Sequence, residues 1–241
     1  KMKSIIILGA GPAGVTCAIG LKKLGYEVII ISKKKPFDAL EGFSQRTITG
    51  LQSAGCLNAL KTIGEKAARD ATWNNEKSDK NFEYIVERKL FDKALLLDAK
   101  ENGIKVIEGI AKIVDITQSR VKIKTKDEVD LFLEALFIVD ARGRLAPRNV
   151  KRKSKDTISF LVKYKKTNSS SKTSLSTSAH GWIWRASFAD DNNYLQLTSN
   201  PKEGEEFFFE IMNEDEKEII DKNVKIVKRE STSYCSKLII K

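Results

Sequence analysis

Ser4-Ile5-Ile6-Ile7-Leu8-Gly9-Ala10-Gly11-Pro12-Ala13-Gly14 decides the fold: an apolar strand runs into a glycine-rich turn and then, from Val15 onward, into a helical pattern. Each glycine has a separate duty in such a turn. Gly9 permits the tight bend, Gly11 lets the main chain approach a diphosphate with no Cβ in the way, and Gly14 allows the helix to lie close on the strand. The helix N-terminus then turns unpaired N–H groups and the positive end of its dipole toward the anion. Pro12 suits the first helical turn, where its missing N–H costs nothing. Ala10 and Ala13 fill the remaining positions of the same cofactor-binding turn.

The flanks complete a βαβ opening. Val15, Cys17, Ala18, Ile19, Leu21 and Leu24 supply the apolar positions of a helix, Gly25 ends it, and Val28-Ile29-Ile30-Ile31 makes a second buried strand. This is a nucleotide-binding Rossmann unit. The position about 20 residues past the glycines usually carries a carboxylate for the ribose hydroxyls. Here Ser32 stands there, followed by Lys33, Lys34 and Lys35. Serine can hydrogen-bond a ribose without the grip of a charge, and the lysines suit either a phosphate or a solvated loop.

Four later segments carry a family resemblance. They are Leu40-Glu41-Gly42-Phe43-Ser44-Gln45-Arg46, leading into a helix-like stretch from Thr49 to Leu60; Arg88-Lys89-Leu90-Phe91-Asp92-Lys93-Ala94-Leu95; Phe137-Ile138-Val139-Asp140-Ala141-Arg142-Gly143-Arg144; and Gly181-Trp182-Ile183-Trp184. In this order they resemble the flavin-dependent aromatic hydroxylase and tryptophan-halogenase superfamily, which binds FAD on a Rossmann unit. The combination is most similar to the branch that modifies tryptophans of a partner protein while maturing its cysteine tryptophylquinone cofactor.

The resemblance implies an α/β fold: a Rossmann-type FAD-binding domain over residues 1–150 and a β-rich substrate lobe over 151–241. It implies an oxidoreductase with FAD as cofactor and NAD(P)H as transient reductant, a monooxygenase acting on an aromatic small molecule or on a tryptophan of a partner protein. Gly9, Gly11 and Gly14 would hold the pyrophosphate, Ser32 and Lys33 would lie by the adenosine ribose, Arg46 and Arg88 would contact the phosphate or ribityl region, and Asp140 would complete the site. Trp182 and Trp184 would line the substrate side or, alternatively, form the aromatic core of the lobe. No catalytic side chain is assigned, because the flavin carries the difficult chemistry. Halogenation is disfavoured, since Arg185-Ala186-Ser187-Phe188 lacks the proline that normally follows Gly-Trp-x-Trp and no catalytic-lysine segment is found. The family's Gly-Asp-Ala motif is also missing, so a truncated or split form is expected, with a second chain as one source of that region. Two other readings stand beside the monooxygenase: a non-catalytic subunit, and an NADP-dependent reductase that uses Lys33 to Lys35.

Composition bounds the rest. With 241 residues, 41% hydrophobic and 31% charged, the chain can bury a sizeable core, reads as globular, and carries no apolar run of membrane-span or signal-peptide length, so a cytoplasmic location is expected. The net charge of +11 draws anions, such as a pyridine nucleotide, an anionic substrate or an acidic partner, or else solubilises the surface. The basic runs Lys151–Lys155 and Lys163–Lys166 lack interleaved aromatic platforms, which argues against nucleic acid. Cys17, Cys56 and Cys235 have no metal or disulfide spacing, and Cys17 reads as a small buried apolar side chain. His180, the one histidine, leaves no room for a multi-histidine metal site and reads as an exposed strand end.

Along the chain, residues 72–82 read as a polar loop, Val121 to Thr125 and Leu131 to Leu133 as a hairpin, and Leu136 to Val139 as a buried strand ended by Asp140. Thr157–Tyr164, Gly181–Phe188 and Tyr194–Thr198 read as strands of the second lobe, Thr167–Ser178 as a mobile hairpin tip, and Glu203–Lys228 as helical surface.

Overall fold

β1 (Ser4–Leu8) is buried at every residue after Ser4, as four consecutive apolar residues require of a strand covered on both faces. The computed structural model describes residues 4–33, 39–73, 76–115, 118–125, 127–143, 156–178, 181–189, 192–199 and 228–231. After α1 (Pro12–Lys23), β2 (Glu27–Ser32) pairs parallel to β1, from Ser4↔Glu27 to Leu8↔Ile31. β9 (Phe137–Asp140) pairs parallel on the other side of β1, from Ile5↔Phe137 to Leu8↔Asp140. β6 (Lys105–Asp115) joins the free edge of β2, then continues into an antiparallel meander with β7 (Arg120–Thr125) and β8 (Asp130–Glu134). The order is β8-β7-β6-β2-β1-β9. Val121 and Ile123 of the meander are fully buried against Ile6, Leu8 and Ile31, with Ala111 packed alongside. Burial of each such aliphatic side chain stabilises by about 1.5–3 kcal/mol.

Two further helices follow β3 (Leu40–Phe43), and the stretch expected as one helix from Thr49 to Leu60 is divided between them: α2 (Gln45–Ala54) and α3 (Leu57–Leu60). Gly55 makes the break. Its φ of +89° is the left-handed conformation that ends helices, and its N–H closes on the carbonyls of Leu51 and Gln52. The N–H groups that open α3, those of Asn58 and Ala59, are capped from α4 (Arg88–Glu101) by the buried carboxylate of Asp98, at 2.8 and 2.9 Å. Phe91, Leu95 and Ala99 form the buried stripe of α4, and the Phe91 ring meets Phe43 edge-on at 5.0 Å.

The chain divides into two compact units, Lys1–Gly64 with Ile85–Pro147, and Glu65–Tyr84 with Arg148–Lys241. Residues 65–84 therefore belong with the second unit and not with residues 1–150, where the sequence reading put them. Within the polar stretch expected as a loop, residues 72–73 instead lie in β4 (Ile63–Trp73) and 76–82 in β5 (Glu76–Glu87). The second sheet has the order β14-β10-β13-β12-β11-β4-β5-β3, with β10 (Asp156–Lys165), β11 (Lys172–Ser178), β12 (Gly181–Ser187), β13 (Asn192–Ser199) and β14 (Lys228–Ser231). β11 corrects a second expectation. The serine- and threonine-rich segment is no hairpin tip over residues 172–178 but a strand, parallel to β4 and antiparallel to β12. Polar side chains hid these three strands because sheet pairing, not an apolar alternation, holds them. Cys17 is half-buried, short of the burial expected of it, and Cys56 is buried. Cys235, His180, the basic run 151–155 and residues 203–227 lie outside the described residues.

Candidate dinucleotide site

The carboxyl ends of three parallel strands meet at one corner, where Leu8 of β1 is in register with Ile31 of β2 and with Asp140 of β9. From β1 the sheet is built outward through β2 to β6, and then the chain returns to the opposite side of β1 as β9. Such a reversal of strand order is the switch point at which open α/β sheets take ligands.

The three glycines of the turn meet three different surroundings. Gly9 has φ +108°, its N–H donates to the Ile31 carbonyl at 2.8 Å, and a Cβ there would lie 2.6 Å from the carbonyl oxygen of Ala141. A Cβ on Gly14 would lie 2.0 Å from the Gly9 carbonyl oxygen. Both are therefore demanded by the protein's own main chain. Gly11 is not: a Cβ there would meet nothing within 4 Å. Gly11 is also the N-cap of α1 and supplies no side-chain cap, while the first backward bond of the helix is Val15 N–H to Gly11 carbonyl, 3.0 Å. The N–H groups of Ala13 and Gly14 precede that bond and have no acceptor within the helix. No acidic side chain stands in the first turn. An open, Cβ-free position beside unsatisfied donors at a positive helix end fits a diphosphate.

Around this corner the anticipated residues are placed unevenly. Ser32 ends β2, half-buried and in register with Glu108 of β6, and Lys33 follows it into solvent; Lys34 and Lys35 lie outside the described residues. Asp140 ends β9, but its carboxylate is occupied by Arg142, whose Nε and Nη2 donate to it at 2.8 and 2.6 Å. Burial pushes the Asp140 carboxyl up, yet the hydrogen bonds and charge of Arg142 outweigh it and hold the group below its ordinary range. Arg46 is exposed in the first turn of α2. Arg88 donates to Glu41 at 2.8 Å and to Asp92 at 2.9 Å, so two carboxylates answer its charge and tie β3 to α4. Its guanidinium is held above its usual value because those partners overcome the opposing effect of burial.

In the second unit, Trp182 and Trp184 share one face of β12, in register with Thr198 and Gln196 of β13. The opposite face carries Ile183, Leu195 and Leu197, all buried. The Trp184 indole N–H donates to Glu83 at 2.9 Å, and the other Glu83 oxygen lies 3.8 Å from Arg69. Glu83, Arg69 and Arg142 escaped the sequence reading. Glu83 and Arg69 lie on strands without a strong apolar alternation, whereas Arg142 stands two residues after Asp140, close enough for its role to be suspected. Among the described residues no group of histidine, cysteine and acidic side chains could hold a metal ion, and no helix is long and apolar enough to cross a membrane.

Fold and corner together define an FAD-binding protein: residues 4–71 match the FAD binding domain family. Residues 41–199 match the tryptophan halogenase family, and the chain belongs to it. A tryptophan 2-halogenase of Chondromyces crocatus is 28% identical over 117 residues, 44% of this chain and 22% of that protein. Digeranylgeranylglycerophospholipid reductase 2 of Methanopyrus kandleri is 32% identical over 111 residues, 42% of this chain and 27% of that protein. Among solved structures, the peptidyl tryptophan dihydroxylase QhpG, essential for tryptophylquinone cofactor biogenesis, superposes with a TM-score of 0.72 at 34% identity, over 87% of this chain and 49% of its own. The chain thus spans less than a third of the two curated relatives and about half of that solved protein.

Proposed function

We propose that this chain is the FAD-binding and substrate-side portion of a flavin monooxygenase that takes electrons from NAD(P)H and oxygenates an aromatic ring, the indole of a tryptophan in a partner protein. The observation that carries the reading is the open Gly11 position at the switch point of a chain 34% identical, over most of its length, to a peptidyl tryptophan dihydroxylase. When bound, FAD supplies the redox chemistry that no side chain here can supply. The chain's own part is to bind and orient. The Ala13 and Gly14 N–H groups hold the diphosphate, Ser32 meets the adenosine ribose with Lys33 beside it, and Arg46, exposed and free of a carboxylate partner among the described residues, reaches the phosphate or ribityl region. Arg88 acts indirectly, by fixing β3 against α4. Trp182, half-buried, presents an aromatic surface to the substrate, and Trp184, buried beside it on the same face and held at its indole nitrogen by Glu83, supports that surface from the core of the lobe. Oxygenation is favoured over halogenation by the run Arg185-Ala186-Ser187-Phe188, which lacks the proline that accompanies the halogenase element.

The test is to load the protein with FAD and supply NAD(P)H with a tryptophan-containing peptide or with free tryptophan. A yellow complex, NAD(P)H consumption and peptide mass gain of one or two oxygen atoms are expected. A protein that leaves added FAD fluorescence unchanged refutes the cofactor assignment; one that binds FAD but modifies neither substrate refutes the reaction.

A further inference from the structure

The wall facing Gly9 at the switch point is the turn Asp140-Ala141-Arg142, tied to β1 by the Ala141 N–H donating to the Leu8 carbonyl at 2.8 Å. Arg142 turns back into this wall, with its side chain only 14% exposed. Its Nε and Nη2 grip both oxygens of Asp140, its own N–H adds a third bond to that carboxylate at 3.2 Å, and its Nη1 donates to the Ala111 carbonyl of β6 at 2.9 Å. One guanidinium thus links the end of β9 to β6, strands that lie on opposite sides of β1 and β2 in the sheet order.

A carboxylate at this place is an obstacle to the ligand. Asp140 is in register with Leu8, the residue that leads into the phosphate turn, so its negative charge stands at the same strand ends as that turn and would repel an anion held there. We infer that Arg142 is a positioning residue of the dinucleotide crevice, which cancels the Asp140 charge beside the diphosphate and fixes the wall against which Gly9 packs. The inference rests on the reading that FAD lies at this corner. It gives Asp140 a different role from direct contact with the cofactor: the carboxylate anchors the arginine, and the arginine makes the crevice acceptable to an anion.

The experiment measures FAD dissociation constants by quenching of flavin fluorescence, and thermal unfolding without FAD, for the wild type and the variants R142Q, R142K, D140N and R142Q/D140N. Glutamine keeps a hydrogen-bonding side chain and loses the charge, so R142Q binds FAD about tenfold more weakly, while loss of the ion pair lowers its unfolding midpoint without FAD by only a few degrees, as it also does in D140N. R142K restores most of the affinity, and so does removal of the opposing charge in R142Q/D140N. The R142Q deficit shrinks as salt is added. R142Q binding like the wild type, or failure of either R142K or D140N to restore affinity, overturns the inference while leaving the FAD reading intact. A wild-type protein that does not bind FAD overturns both.

Discussion

Gly11 and Gly14 stand three residues apart in one turn, and adding the same methyl group to each should have opposite consequences. In Gly14→Ala the new Cβ would lie 2.0 Å from the Gly9 carbonyl oxygen, and contacts under 3.0 Å are essentially never seen, so main chain must move by about 1 Å or more. Neither side of that contact is a flexible side chain. A loss of about 3 kcal/mol, the upper part of the usual range for overpacking, lowers the unfolding midpoint of a chain of this size by roughly 6–12 °C. In Gly11→Ala the Cβ enters open space at φ −76°, which any residue adopts, and only the small preference for glycine over alanine at an N-cap is lost, about 1 kcal/mol at most. FAD, however, would meet that Cβ. Losing one charge-assisted hydrogen bond to the diphosphate, about 1.5–3 kcal/mol, weakens FAD binding roughly 10- to 150-fold. Thermal unfolding without FAD and fluorescence titration with FAD, run on both variants, separate the two effects. Gly11→Ala with wild-type FAD affinity, or Gly14→Ala with wild-type stability, would refute the division of labour among the glycines.

Glu83→Ala leaves the Trp184 indole N–H without its buried acceptor and Arg69 without its ion-pair partner and should destabilise the protein by about 2–3 kcal/mol, whereas Glu83→Gln keeps an acceptor for the indole and recovers most of that; thermal unfolding and tryptophan emission report both. Because the folded Asp140 carboxyl titrates below its ordinary value of 3.8, it adds stability that is present above that pH and disappears as pH falls through the folded value. Urea midpoints measured from pH 6 to pH 3 should therefore fall less steeply for Asp140→Asn than for the wild type, and parallel curves would contradict this. Desolvation, reinforced by Asp98 and opposed by Lys23, pushes the Cys56 thiol up to about 11, so iodoacetamide at pH 8 should label half-buried Cys17 while Cys56 stays unmodified until the protein is unfolded.

The dinucleotide corner was legible because every signal for it is local. Apolar runs, glycine spacing and a helix pattern within the first 31 residues specify β1, α1 and β2, and Asp140 closes a run that reads as a strand without help from the rest of the chain. The second sheet was legible only where its strands alternate or carry aromatics, as β12 and β13 do. β4 and β5 carry Lys66, Arg69, Asp70, Lys77 and Asp79 at strand positions, and they are strands because β11 and β3 flank them in the sheet, a condition that no short window contains. The partners of the anticipated site residues were hidden for the same reason. Glu83 reaches Trp184 across 101 positions and Glu41 reaches Arg88 across 47, so neither pairing leaves a mark on neighbouring residues.

The excursion of β4 and β5 governs how this protein can be dissected. The chain leaves the first unit after Gly64 and re-enters it at Ile85, so a cut near residue 150 does not release two independent pieces. The N-terminal fragment would retain β4 stripped of β11, a bare row of main-chain donors and acceptors primed to recruit another copy. A usable miniature cofactor module would instead need residues 65–84 excised and the ends at 64 and 85 rejoined by a short tether, leaving the glycine corner and its switch point in one piece.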